Sequence, residues 1–171
     1  MPQSYDRIIV QTTFSTKYRQ PLINQEIEPT LYAIMIATVQ KLGVRVIEIG
    51  GTADHVHIIH TIPRTETIAN IVNAMKSVSS KWIKTKGEAY AWFEWQDGYG
   101  CFSADYRRLD NLITYVKRQK EHHGSSNQKM TFREEYTRYL HAYGFPEFKV
   151  EYQFPEQPND KRCREPSPLP L

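Results

Sequence analysis

The sequence predicts an α+β fold: a ferredoxin-like sandwich with an antiparallel sheet and two helices on one face, followed by appended C-terminal helices. Three observations predict it. The segments fall in the order β-α-β-β-α-β, the second and third strands are joined by a turn short enough for a hairpin, and 171 residues suffice for one domain and little more. The unit is expected over residues 1–145. Residues 146–171 read as a proline-rich tail, since five of the ten prolines fall from Pro155 onwards.

Each element has its own signal. Residues 5–14 are β-branched and aromatic and predict a first strand, which Arg19, Gln20 and Pro21 break. Over about 29–42, Leu31, Ile34, Met35, Val39 and Leu42 recur at helical spacing, with Pro29 suited to the first turn and Gly43 to the stop. Residues 44–49 predict a buried strand with Val44, Val46 and Glu48 on one face and Arg45, Ile47 and Ile49 on the other. A turn at 50–54 leads into a third strand over 55–62. Thr65, Glu66 and Thr67 offer caps for a helix reaching about Lys86, with Ile68, Ile71, Val72, Met75, Val78 and Trp82 as its apolar stripe and Ile83 beside it. The aromatic run 87–97 is irregular, and 99–104 predicts a short fourth strand. A third helix is expected over 109–123, ending at Gly124. The Thr131/Glu134 pair forms a capping box that opens a last helix to about Tyr143.

Composition excludes several classes. Hydrophobic residues make up 40% and charged residues 24%, and no stretch of about 18 apolar residues exists, so no membrane span is expected. The start of the chain has neither a basic nor an apolar leader region, and Cys101 and Cys163 match no zinc or disulfide pattern; a reducing, cytoplasmic setting fits. The net charge of +3 says little by itself, because Lys76, Lys81, Lys84 and Lys86 cluster around Trp82 and a second basic group spans 107–120.

The densest chemistry lies at His55-Val56-His57. On a strand, residues i and i+2 share a face, so both imidazoles project together and can bind one divalent metal. Taken alone, such a pair is more often two half-exposed strand histidines. His60 has the opposite parity and reads as structural. On the third helix, Tyr115 and Gln119 stand about 40° apart at ~100° per residue, and His122 about 20° from Tyr115 on the other side. This polar row lies beside the apolar stripe of Leu109, Leu112, Ile113 and Val116.

Together these motifs resemble the single-tyrosine HUH transposases of the smallest bacterial insertion sequences and their repeat-associated relatives. The matching residues are His55-Val56-His57 with Pro63, Tyr115-x-x-x-Gln119-x-x-His122-His123, the opening Tyr5-Asp6-Arg7-Ile8 with Phe14-Ser15-Thr16-Lys17-Tyr18-Arg19, Lys76-Ser77-Val78-Ser79-Ser80, and Phe132-Arg133-Glu134-Glu135-Tyr136. The resemblance implies that His55, His57 and Gln119 hold Mg²⁺ or Mn²⁺, with His122 as a supporting residue. It implies that Tyr115 attacks a phosphodiester of single-stranded DNA, leaving a 5′-phosphotyrosine and a free 3′-OH. It also implies a homodimer that recognises hairpins, often with tyrosine helices exchanged between subunits. The chemistry agrees: a phenol of pKa ≈ 10 needs help to act as a nucleophile, and two imidazoles with a neutral amide leave a cation its full charge.

Lys76, Lys81, Lys84 and Arg118 are expected phosphate contacts, and Trp92, Trp95 and Tyr99 expected base-stacking residues. Two other functions compete. A non-catalytic module for RNA or single-stranded DNA would need neither the histidine pair nor Tyr115 and Gln119. A metal-dependent hydrolase using water would need no particular tyrosine.

Overall fold

The structure, a computed structural model, describes residues 5–119 and 131–145. A four-stranded sheet is built from β1 (Ile9–Ser15), β2 (Val46–Gly51), β3 (His55–Thr61) and β4 (Gly100–Ser103) in the order β2-β3-β1-β4, every pair antiparallel. Helices α1 (Glu28–Gln40) and α2 (Ile68–Ile83) cover one face, as the predicted topology requires. Two later helices, α3 (Leu109–Lys117) and α4 (Phe132–Ala142), pack on the other.

Strand register decides which chemistry each face carries. β1 and β3 pair Gln11 with Ile59, Thr13 with His57 and Ser15 with His55, so these side chains share one face. Val10, Thr12 and Phe14 lie with His60, Ile58 and Val56 on the other, under α1 and α2. There Phe14, Val56, Ile58, Leu31, Met35, Ile71 and Met75 form the main core. His60 belongs to this side, fully buried, with Nε2 2.9 Å from the Thr12 hydroxyl and Nδ1 3.0 Å from the Thr61 carbonyl. Burial pushes its pKa below the ordinary histidine value, which favours the neutral ring expected of a structural histidine.

Four expectations need correction. The first strand starts at Ile9, and 5–8 stay outside the ladder. β2 carries a bulge between Val46 and Glu48, which breaks strict alternation: Val46 and Ile49 face α1 and α2, whereas Ile47 packs beside Val116 of α3. On α2, Val78 is exposed and Ser79 takes its place in the interior, its hydroxyl donating to the Met75 carbonyl at 2.6 Å and accepting from the Trp95 indole at 2.9 Å. The third helix, expected to run unbroken, gives way at Arg118, whose φ of −95° and ψ of 15° leave the helical region. The Thr131/Glu134 capping box opens α4 as predicted. The tail from 146 onwards lies outside the described residues.

Candidate active site

His55 and His57 project from the α3/α4 face of β3, both buried, with ring centroids 5.2 Å apart. Each ring is held by its Nδ1. His55 Nδ1 donates to the Asp54 carboxylate at 2.7 Å and lies 2.9 Å from the Thr52 hydroxyl, which itself donates to Asp54 at 2.8 Å. A ring that donates through Nδ1 keeps the Nε2 lone pair for another partner. His57 Nδ1 lies 2.9 Å from the side-chain amide of Gln11, which also reaches the Tyr139 hydroxyl at 3.2 Å. The Gln11 amide nitrogen faces both partners, donating to the Tyr139 hydroxyl and fixing the orientation of the His57 ring through Nδ1.

Tyr115 arrives on α3, which lies directly on β2. The contact depends on Gly50, where a Cβ would stand 2.4 Å from the Val116 carbonyl oxygen. Val116 is fully buried against Ile9 and Ile59, and Lys117 pairs with Glu48 of β2 at 3.5 Å. The helix is thus docked on its own sheet, and the Tyr115 ring lies 6.2 Å from that of His57 in the same chain. After the break at Arg118, Gln119 still turns inward and is 1% exposed. The angle expected from an unbroken helix therefore does not describe this pair, although both residues reach the same place.

That place is Glu135, which no sequence argument assigned. Its Oε1 accepts hydrogen bonds from the Tyr115 hydroxyl and, at 3.2 Å, from the Gln119 amide. Its Oε2 faces His55 Nε2 at 3.7 Å and His57 Nε2 at 3.5 Å. Phe132, one turn back on α4, stacks on the His55 ring at 4.3 Å. A signal did exist. Once Glu134 is assigned to the capping box, Glu135 falls on the same stripe as Phe132, Tyr136 and Tyr139, an acid on an otherwise aromatic face.

The donor set fits a divalent cation. Ligand atoms of His55, His57 and Glu135 all lie within 4.8 Å of one another, and both Nε2 atoms converge on one carboxylate oxygen at more than hydrogen-bond length. Two imidazoles with carboxylate and amide oxygens suit Mn²⁺, and the oxygens suit Mg²⁺. Gln119 meets the cluster through Glu135. Beside the expected neutral donors, a carboxylate, Glu135, stands among the histidines.

The expected DNA-contact residues scatter. Trp95 is core: 7% exposed, edge-on to Phe14 and Phe93 at 5.0 Å each, so it has no face to offer a base. Lys76 is turned inward, its ammonium donating to the carbonyls of Gln96, Asp97 and Gly98 at 2.5, 3.2 and 2.8 Å; three N–H groups meet three acceptors, which corrects its reading as a phosphate contact. Lys81 and Lys84 are exposed in the α2 region, across the sheet from the histidines. Tyr99 is partly buried, Trp92 is 73% exposed, and Arg118 is exposed next to Gln119. His122 lies outside the described residues.

Comparison with known proteins bears on the fold and on the family. No curated protein sequence matches the chain. Among solved structures, a candidate transposase from Deinococcus radiodurans R1 aligns with a TM-score of 0.55 at 17% identity, covering 70% of this chain and 98% of that one. A REP-associated tyrosine transposase, solved bound to a REP hairpin, aligns with a TM-score of 0.55 at 14% identity, covering 75% of this chain and 76% of its own. At these identities the likeness establishes the fold. The family model described as "Transposase IS200 like" matches residues 4–119, more than half of the sequence. By that match the chain belongs to the IS200-like transposase family.

Proposed function

We propose that this transposase cleaves and rejoins single-stranded DNA at hairpin-marked ends through a covalent 5′-phosphotyrosine on Tyr115, with Mg²⁺ or Mn²⁺ held by His55, His57 and the oxygens of Gln119 and Glu135. One observation carries the proposal: the nucleophile candidate and the histidine pair meet on the two oxygens of one carboxylate within one chain. The hairpin-bound relative supports a hairpin as the substrate.

Glu135 accepts the Tyr115 hydroxyl's hydrogen bond and so aims the phenol oxygen along the edge of the histidine pair. Asp54 and Gln11 fix the imidazole rings, so that both Nε2 atoms stay directed at one point. A divalent cation there supplies Lewis-acid polarisation of the scissile phosphate. In the step, the Tyr115 oxygen forms a bond to phosphorus and the bond to the preceding 3′-oxygen breaks. The phenol proton is lost and the departing 3′-oxygen is released as a hydroxyl. The 5′-phosphate stays on Tyr115 until a 3′-OH attacks it in reverse, which conserves the bond and needs no nucleotide cofactor. We place the protein in the cytoplasm as a homodimer whose subunits each use their own tyrosine. No helix among the described residues is long and apolar enough to cross a membrane.

The test is incubation with single-stranded hairpin DNA and Mn²⁺, followed by denaturing gel analysis. A protein–DNA adduct is expected, absent in Tyr115→Phe and strongly reduced in His57→Ala. An adduct that persists in Tyr115→Phe refutes the nucleophile. Mixing Tyr115→Phe with His57→Ala protein distinguishes own-chain from exchanged sites: restored cleavage would mean that tyrosines are exchanged.

A further inference from the structure

Directly after β1 the chain makes a turn, Thr16-Lys17-Tyr18-Arg19, to which the chemistry above gives no part. Its backbone is strained. Tyr18 and Arg19 have φ of 55° and 56°, and among the described residues they are the only non-glycine residues with positive φ. Two successive side chains in the left-handed region cost free energy, and such strain persists only where neighbouring contacts over-determine it. Those contacts are present. Arg19 N–H donates to the Thr16 carbonyl at 2.9 Å, Lys17 N–H donates to the Glu94 carbonyl at 2.8 Å, and the Lys17 ammonium pairs with the Glu94 carboxylate. The Thr16 hydroxyl donates to the Gln20 carbonyl at 2.7 Å and closes the turn.

What the turn grips is the support of His55. Ser15 stands opposite His55 in the β1–β3 register, and Thr16, fully buried, carries the pairing one residue further. Its N–H donates to the Asp54 carbonyl at 2.8 Å, and its hydroxyl lies 3.2 Å from the same oxygen. The reversal at Tyr18 and Arg19 brings Ile23 back beside Thr16, where Ile23 N–H donates to the Ala53 carbonyl at 2.9 Å. Two successive carbonyls of the 52–54 turn are thus held from the two ends of the strained segment, and Leu22 and Ile23 anchor its far end in the main core. The Asp54 carboxylate, which holds His55 Nδ1, is 28% exposed, so its aim depends on the backbone that carries it more than on packing. The two histidines are therefore supported differently: His57 by Gln11, a neighbour within the sheet, and His55 by a turn outside it.

We propose that Thr16 is a positioning residue for the active site and that the left-handed pair Tyr18-Arg19 is the brace that holds it. Through the Asp54 backbone, Thr16 sets the carboxylate that fixes the His55 ring and directs its Nε2 at the point shared with His57. The role belongs to the hydroxyl at Thr16 and to the backbone, not the side chain, at Tyr18. The proposal rests on the reading of His55 as a metal-binding residue given above and adds to it the segment that aims this residue.

Two readouts separate positioning from stability. One is Mn²⁺ affinity by calorimetry; the other is the imidazole nitrogen NMR signature of His55 and His57 in the metal-free protein at about pH 8, above the ordinary imidazole range. In the wild type, His55 is expected as the Nδ1–H form, donating to Asp54. Thr16→Val keeps the side-chain shape and leaves the Gln20 carbonyl without its donor. Mn²⁺ affinity is then expected to fall by about tenfold, and His55 to shift towards the Nε2–H form while His57 keeps its signature. Thr16→Ser is expected to restore both. Tyr18→Gly accepts the left-handed backbone and should leave both readouts as in the wild type, whereas Tyr18→Val, whose branched side chain resists it, should reproduce Thr16→Val. Val39→Ala removes fully buried side-chain volume on α1 and should lower Tm with both readouts unchanged. Wild-type values in Thr16→Val overturn the proposal, as does an equal loss in Tyr18→Gly and Tyr18→Val, or the same loss in Val39→Ala. Should Thr16→Val fail to fold, the Tyr18 pair decides. A wild type that binds no Mn²⁺ refutes the metal site instead, and the His55 signature, read without metal, still decides the role of Thr16.

Discussion

Replacing Gly50 with alanine tests how Tyr115 is held, because the added Cβ points at Val116 of α3, although the Gly50 backbone pairs with His57 in the ladder. An added Cβ would stand 2.4 Å from the Val116 carbonyl oxygen and 3.2 Å from both its carbonyl carbon and Cγ1. Ordinary contact begins near 3.4 Å, so α3 must retreat from β2 by about 1 Å, and because the obstacle is backbone no rotamer change relieves it. Overpacking of this kind costs about 1–3 kcal/mol, which for a chain of this size lowers Tm by roughly 2–10 °C. The larger effect is on chemistry. A ~1 Å misplacement of a reacting group is enough to lose about 100-fold in rate. The added methyl meets α3 and not β3, so the Gly50–His57 ladder pairing and the histidine pair should be spared. The assay is single-turnover adduct formation on a hairpin oligonucleotide, at a temperature well below both midpoints, with Mn²⁺ affinity measured in parallel by calorimetry. The expected pattern is a rate down by about two orders of magnitude with Mn²⁺ affinity within about threefold. A variant with wild-type rate and unchanged Tm would refute the claim that docking at Gly50 positions the nucleophile.

Three further outcomes follow from the same structure. Gln11→Leu removes the partner that orients His57, and Mn²⁺ affinity should fall by about 10–100-fold by calorimetry while the fold persists. Trp95→Ala should cost about 3–5 kcal/mol by chemical denaturation, since the ring packs between Phe14 and Phe93 and bonds Ser79; affinity for single-stranded DNA, measured on the folded fraction, should be unchanged. Burial lowers the Lys76 ammonium from 10.5 to about 8, so between those values the unfolded chain binds a proton that the folded chain lacks. Stability contributed at this site should rise with pH across that window, and Tm of the wild type should gain on Lys76→Met between pH 8 and 10.5.

The sequence carried the topology because its strands and helices each announce themselves by period and by cap, and only one ordering of such a set closes this sandwich. The parity argument for His55 and His57 held for the same reason: β3 is a regular strand, and side chains two apart must share a face. Reasoning by period failed where the backbone departs from it. The bulge in β2 adds a residue that alternation cannot anticipate, and Arg118 interrupts a helix that periodicity alone carries through to 123. Ser79 replaced Val78 in the interior because the Trp95 indole needed an acceptor there, a tertiary demand that hydrophobicity does not register. Lys76 and Trp95 were misread by type, as a lysine for phosphate and a tryptophan for a base, when neighbours distant in the chain satisfy both. Glu135 stood in a quoted motif but without a role, for nothing local says that α4 folds back over the histidines.

The alternation of β1 also bears on how such a chain can change over time. Its odd positions, Gln11, Thr13 and Ser15, face the histidines, and its even positions, Val10, Thr12 and Phe14, face the helices. Insertion or deletion of one residue would exchange the two sets at once, sending Phe14 to the reactive side and Gln11 into the apolar core. Point substitutions along β1 can be absorbed singly, but length cannot. Variation in length is instead expected between Lys84 and Ala91, where short exposed turns link α2 to the aromatic run and no ladder constrains the count. Lineages descended from a sequence like this one should therefore differ freely in that connection while keeping β1 at a fixed number of residues.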